Sequence, residues 1–238
     1  LLRVAQLALA AANLTAEDVP EFAEQLAAEY PLRTEKNPVG ARRINRELVR
    51  LLAHLQAPSL PERIIDVLAS DEPAEEKLHA ALHARFVAQG WTTQKKHALL
   101  SYYEQARKLP GGNSFSRYLD NFTKDFVATL NDTERAAVLE QAAEIPSAAL
   151  PVLATLPPQS KPETLTALVE LDDQLAGQDG EAINKLRTGI AAVLGRSRQP
   201  HAMAHLRQRF MHEPDRREIL AVALAQDPAG ENYDMLLK

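Results

Sequence analysis

The chain has 238 residues, of which 45% are hydrophobic and 25% charged, with a formal net charge of −5 and no cysteine. The acidic balance removes any general attraction to nucleic acid or an anionic membrane. The missing thiols exclude disulfides, thiolate metal sites and covalent haem attachment through a C-x-x-C-H motif inside this chain. Aromatics are only 5%, glycines number nine and prolines fifteen. That mix, with Ala and Leu supplying most of the apolar mass, suits many short close-packed helices separated by proline.

The chain opens in helix-like sequence at Leu1–Ala12, and Thr15 with Asp18 fits a capping box ahead of Pro20. Phe22, Leu26 and Tyr30 carry the next apolar stripe, and residues 31–40 form a loop. Ala41 to Asp71 reads as one complete helix–turn–helix unit. Its first helix places Ile44, Leu48, Leu51, Leu52 and Leu55 on a stripe, its break is Ala57-Pro58-Ser59, and its second helix carries Ile64, Ile65 and Leu68. Neither stripe can bury itself within its own pair, so the unit needs neighbours on both sides.

After a turn at Ser70–Pro73, the spacing predicts a helix with Leu78, Leu82 and Phe86 inward and Gly90 as its C-cap. Thr92 or Thr93 caps the following helix, which buries Leu99, Leu100, Tyr103 and Ala106. Leu109-Pro110-Gly111-Gly112-Asn113 is the strongest breaker; positive-φ glycines would fold two helices tightly together, with Asn113 or Ser114 capping the second. Leu119, Phe122, Phe126 and Leu130 then give the best helical periodicity in the chain, and Asn131 with Glu134 caps the next helix. Pro146, Pro151, Pro157 and Pro158 shorten the helices of the middle stretch. Three further stripes follow: Leu165, Leu168, Val169 and Leu175; Ile183, Leu186, Ile190 and Val193, after the Asp179-Gly180 break; and Met203, Leu206 and Phe210. Ile219, Leu220, Ala223 and Leu224 make the last of these, and an amphipathic run closes the chain at Tyr233–Lys238.

No alternating β-type run is present, and no apolar run approaches the roughly 18 residues of a membrane span. The expected fold is all-α: a right-handed α-solenoid, or superhelix, of HEAT-like (armadillo-type) helix pairs, with residues 1–238 as one repeat domain. Both ends lack the polar outer face of a terminal repeat, so the chain reads as a slice of a longer polypeptide.

Candidate chemistry is thin. His79 with His83, and His201 with His205, have the i, i+4 spacing that chelates zinc. The H-E-x-x-H glutamate is missing from the first pair and a third ligand from the second, so both read as surface or half-buried histidines. Arg42, Arg43, Arg46 and Arg50 sit on adjoining faces of one helix, where they suit phosphate or carboxylate. The same row reads as a solvated face paired with acids such as Glu47, and the net acidity favours that reading. Trp91 reads as packing between helices, Gly111-Gly112 lacks the lysine of a phosphate loop, and Asp172-Asp173 reads as ordinary turn or surface carboxylates. No catalytic, cofactor-binding or metal residue is assigned, and the chain is expected not to be an enzyme by itself.

One set of residues is more distinctive: Gly90-Trp91-Thr92, Tyr103, Gly111-Gly112-Asn113-Ser114-Phe115 and Asn121-Phe122-x-Lys124-Asp125. The run Arg43-Ile44-Asn45-Arg46-Glu47-Leu48-x-Arg50-Leu51-Leu52-x-x-Leu55-Gln56-Ala57-Pro58 joins them. Together they resemble the helical-repeat region of large exported proteins of planctomycete-type bacteria, clearest over about residues 15–145. Those proteins join a propeller-like dehydrogenase domain, a HEAT-like array and a C-terminal haem c domain. The resemblance implies a periplasmic or otherwise extracytoplasmic setting and a scaffold role. The implied partners are neighbouring domains of the same polypeptide or another protein, with no nucleic acid and no membrane span. It implies haem c only for the parent, since the haem-binding Cys and His motif is absent here. Two other readings stay open: a HEAT-like DNA-binding or DNA-base glycosylase domain, which needs a basic groove, and a cytoplasmic protein–protein scaffold.

Overall fold

A computed structural model describes residues 4, 7–8, 11–12, 14, 17–228 and 230–237. Most of the opening helix read at Leu1–Ala12, and Thr15 of the first capping box, lie outside the described residues. Among the described residues there are thirteen α-helices and no strand, so the all-α expectation holds. No helix among them is long and apolar enough to cross a membrane.

The chain divides into two compact units, Leu1–Thr129 and Leu130–Lys238. The first contains α1 (Pro20–Ala28), α2 (Pro38–His54), α3 (Leu60–Ala69), α4 (Ala74–Ala84), α5 (Thr93–Ala106) and α6 (Phe115–Val127). The second contains α7 (Asp132–Glu140), α8 (Pro146–Thr155), α9 (Pro162–Gln174), α10 (Glu181–Ser197) and α11 (Pro200–His212). A 3₁₀ turn at Pro214–Arg216, α12 (Arg217–Leu224) and α13 (Glu231–Leu236) complete it.

Proline sets many of the starts: α1, α2, α3, α8, α9 and α11 each carry one in their first two positions, where its missing N–H costs nothing. Side chains cap others. Asn37 accepts from the Gly40 amide at 2.9 Å before α2, and Thr92 accepts from Lys95 at 3.3 Å before α5. Asn131 and Glu134 form the reciprocal box expected for α7, both bonds 3.0 Å long.

Through α2–α5 and α9–α13, several helices pack both on a neighbour in sequence and on the next helix but one. In the first unit α2 meets α3 and α4, and α3 meets α4 and α5. In the second, α9 meets α10 and α11, α10 meets α11 and α12, and α11 meets α12 and α13. Polar bonds follow the same offset: Arg46 to Glu76 across 30 residues, Arg63 to the Tyr30 carbonyl across 33, and Arg209 to Asp173 across 36. Leu48, Leu51, Leu52, Leu55, Ile64, Leu99, Leu100 and Tyr103 fill the first unit's core, and Leu119, Phe122, Phe126 and Leu130 are all buried as their periodicity predicts. In the second unit Gly195 of α10 lies against the Ala223 backbone of α12, where an added Cβ would be 2.6 Å from the carbonyl oxygen.

Several inward-facing assignments are corrected. Ile44, Phe22 and Phe86 are exposed, and Leu78 and Leu82 only half-buried. The inner faces are built from smaller residues: Ala23 and Ala27 on α1, Val49 and Ala53 on α2, and Ala80, Ala81 and Ala84 on α4. Helix α4 packs on α2, α3 and α5, and a helix crowded by three neighbours needs small side chains for close approach. Gly90 is not a helix C-cap, because α4 ends at Ala84. It sits in the following loop at φ +77°, so close to Pro58 that a Cβ would lie 1.7 Å from that carbonyl oxygen. Gly111 and Gly112 do not use positive φ, and Ser114 holds the N-cap position of α6 without a side-chain capping bond. Gly111 instead leaves room for the Phe115 ring, which a Cβ would meet at 2.5 Å.

Candidate functional site

The densest polar cluster lies in the second unit, where α9, α10, α11 and the 3₁₀ turn meet. Asp172 is buried on α9, its carboxylate only 3% exposed, which corrects its reading as a surface acid. Leu165, Leu168 and Leu175 place it on the inward seam of α9, and Ile183, Ile190 and Leu194 do the same for Arg187 on α10. Arg187 Nε donates to Asp172 Oδ1 at 2.9 Å, and its Nη2 donates to Glu213 at 2.8 and 3.0 Å. His205 of α11 is buried with Nε2 3.0 Å from Asp172 Oδ2 and Nδ1 3.6 Å from Asp173 Oδ1. Arg216 Nη1 donates to Glu213 at 2.7 Å and lies 3.3 Å from Asp172. Arg209 binds Glu213 at 3.1 Å and also pairs with Asp173.

Three carboxylates thus face three guanidinium groups and one imidazole. Burial alone would push the Asp172 carboxyl up, but hydrogen bonds from His205 and Arg187 and the Arg216 charge hold it well below the usual carboxylate range. Burial also opposes ionisation of Glu213, and Arg187 and Arg216 outweigh it in the same way. Burial would weaken the Arg187 charge, but Asp172 and Glu213 reinforce it. These carboxylates are committed acceptors, which suits fixing three helices together rather than taking a proton from a substrate.

Of the two histidine pairs singled out by spacing, His79 and His83 lie together with ring centroids 4.5 Å apart, whereas His201 and His205 have different surroundings. His205 belongs to the buried cluster while His201 is exposed. In the first unit, His79 Nε2 lies 3.2 Å from the Arg46 carbonyl and His83 Nδ1 lies 2.8 Å from the His79 carbonyl. A carbonyl only accepts, so both nitrogens donate and fix the tautomers. Burial lowers both pKa values below the ordinary histidine range, against those hydrogen bonds, and nearby Arg50 adds to the fall. Among the described residues, no group of three or more His, Asp or Glu side chains is placed to hold a metal ion.

The arginine row is divided. Arg42 reaches Glu72 at 3.4 Å and Arg46 grips Glu76 through two bonds, both tying α2 to the next helix pair. Arg50 pairs with Glu47 on its own helix at 2.9 Å, and Arg43 is exposed. Trp91 donates to the Val87 carbonyl at 2.7 Å and meets Phe126 edge-on at 5.1 Å, in keeping with a packing role. The chain matches no family model, no curated protein and no solved structure.

Two surface depressions accompany these clusters. In the second unit, a groove of about 700 Å³ runs along Leu150, Asn184, Lys185, Thr188 and Gly189. In the first, a cleft of about 350 Å³ is lined by Arg50, Ala53, His54, Gln56, His83 and Phe86. The sequence reading found neither, because each needs side chains from helices distant along the chain.

Proposed function

We propose that the chain is a non-catalytic helical-repeat domain, a right-handed α-solenoid of HEAT-like, armadillo-type helix pairs. On this reading it links or docks the dehydrogenase-like and haem c modules of a larger exported redox protein. The observation that carries it is the packing of helices on the next but one over α2–α5 and α8–α13, with polar bonds recurring across 30 to 36 residues. That interval is about one helix pair, the repeat length of stacked helical arrays, whose extended surfaces suit protein partners. The mutual pairing of Asp172 and Glu213 with Arg187 and Arg216 supports a scaffold over a reaction centre. The extracytoplasmic setting and the identity of the modules rest on the family resemblance.

The test begins with the reading frame that contains these residues and continues with its parts. Dehydrogenase-like and haem c modules encoded on either side, expressed separately, are expected to co-elute with this chain in size-exclusion chromatography and to separate without it. A frame lacking both modules, or modules that associate equally well in its absence, overturns the proposal.

A further inference from the structure

The scaffold reading leaves open where a partner would sit, and the first unit carries an unusual surface across its alternate helices α2, α4 and α6. The Arg85 guanidinium, just past α4, lies between the rings of Phe86 at 4.6 Å and Phe122 at 4.4 Å, and Asp125 anchors it at 2.8 Å. Tyr118 of α6 stacks on Phe122 with centroids 6.1 Å apart. The outer members of this ladder are open to solvent, with Phe86 57% and Tyr118 58% exposed. Phe86 also walls the cleft that Arg50 and His54 of α2 enter from the other side.

The polar floor of that cleft is already satisfied. Gln56 donates to the Ala53 and Phe86 carbonyls at 2.6 Å each and accepts from the Ala88 amide at 2.7 Å. The carbonyls at the ends of α2 and α4 are therefore partly answered, which softens their repulsion of an anion. His83 spends Nδ1 on the His79 carbonyl, leaving Nε2 as an acceptor on a side chain that lines the cleft. Arg50 ion-pairs with Glu47 at i, i+3 on the helix surface, a kind of contact that exchanges at little cost. The groups left to recognise a ligand are a cation beside an exposed aromatic wall.

We propose that this face, from Arg50 and His54 through Phe86 to Tyr118, docks an extended acidic peptide segment of a protein partner. A carboxylate seats on Arg50 and His54, and apolar side chains cover Phe86 and then Tyr118. Helices α2 and α4 pack, and packed helices lie ~8–10 Å apart, so an extended chain rising ~3.3 Å per residue passes from Arg50 to Phe86 in about three positions. The Arg85 and Phe122 ladder then carries the surface on to Tyr118. The inference rests on the scaffold reading and names the partner's chemistry.

The test is fluorescence anisotropy with the intact chain and a fluorescein-labelled peptide of about nine residues. The peptide carries one aspartate, a phenylalanine three residues after it and a second phenylalanine near its far end, in an alanine–serine background. Saturable binding that weakens with added salt is expected. Arg50→Glu and Phe86→Ala should each weaken it by at least ~tenfold, the scale of a docking anchor. Both side chains are solvent-exposed, and circular dichroism checks that the variants fold. A Tyr233→Ala control in the second unit should bind as the parent does. Equal affinity for a peptide with lysine in place of aspartate, unchanged binding by both variants, or no saturation at ~1 mM peptide overturns the docking surface. Those outcomes leave the scaffold reading to the co-elution test, which uses neither the peptide nor the variants.

Discussion

Replacing Asp172 with asparagine keeps the side chain's shape and removes one charge from the centre of the buried cluster. In the parent, Asp172 accepts from Arg187 at 2.9 Å and from His205 at 3.0 Å, and Arg216 lies 3.3 Å away. Breaking a buried pair from one side costs ~3–5 kcal/mol, because the partner's charge stays buried. Here Glu213 still holds Arg187 at 2.8 Å and Arg216 at 2.7 Å, so the loss should fall at the low end, about 3 kcal/mol. Hydrogen–deuterium exchange of the α9–α11 amides reads the second unit directly, and that loss corresponds to roughly 150-fold lower protection. The pH dependence adds a second check. Asp172 is held below its unfolded value near ~3.9, so its contribution is complete above that pH and is lost as pH falls through the folded value. The gap between parent and Asp172→Asn should narrow below about pH 4. A loss under ~1 kcal/mol, or a gap that widens below about pH 4, would refute this account of the cluster.

Three further outcomes are expected in the first unit. Gly90→Ala meets both a positive φ and the Pro58 carbonyl, and should cost at least ~2 kcal/mol by urea denaturation. Gly112→Ala, whose Cβ enters open space, should stay within ~0.5 kcal/mol; equal effects at the two sites would show that Gly90 is not a contact glycine. Phe122→Ala should cost roughly 3–5 kcal/mol, and a loss below ~1 kcal/mol would remove Phe122 from the core. Burial holds His79 and His83 below the unfolded histidine value near ~6.5, so their contribution is complete above it and falls away as pH drops through the folded values. The His79→Gln/His83→Gln double variant should therefore flatten the acid-side slope of the first unit's stability between about pH 7 and 5, and an unchanged slope would contradict that assignment.

Periodicity was informative where large apolar residues alone make a helix face, as at Leu119, Phe122, Phe126 and Leu130. The Asn131–Glu134 box was legible because both partners lie within one turn. Reading failed where space decides the face. Helix α4 turns alanines inward and leaves Phe86, just past its end, exposed, and a search for bulky stripes ranks those residues the wrong way round. The buried cluster leaves a trace in the sequence: Asp172 and Arg187 each occupy a seam position between aliphatic residues of consecutive helices. A charge at such a position signals a buried partner, but Glu213 and Arg216 reach Arg187 across 26 and 29 residues, beyond local pattern. Local pattern marks Gly90 as a helix end, and its actual constraint is invisible there because its Pro58 neighbour comes from another loop.

On the proposed function, this helical domain holds other modules of a larger polypeptide. Lysine-directed cross-linking and mass spectrometry of the intact parent tests it most directly, using the exposed Lys36, Lys124, Lys161 and Lys185 as reporters. The account predicts links from these lysines to both the dehydrogenase-like and the haem c modules. Links confined to residues 1–238, in a parent shown to be folded, would contradict it.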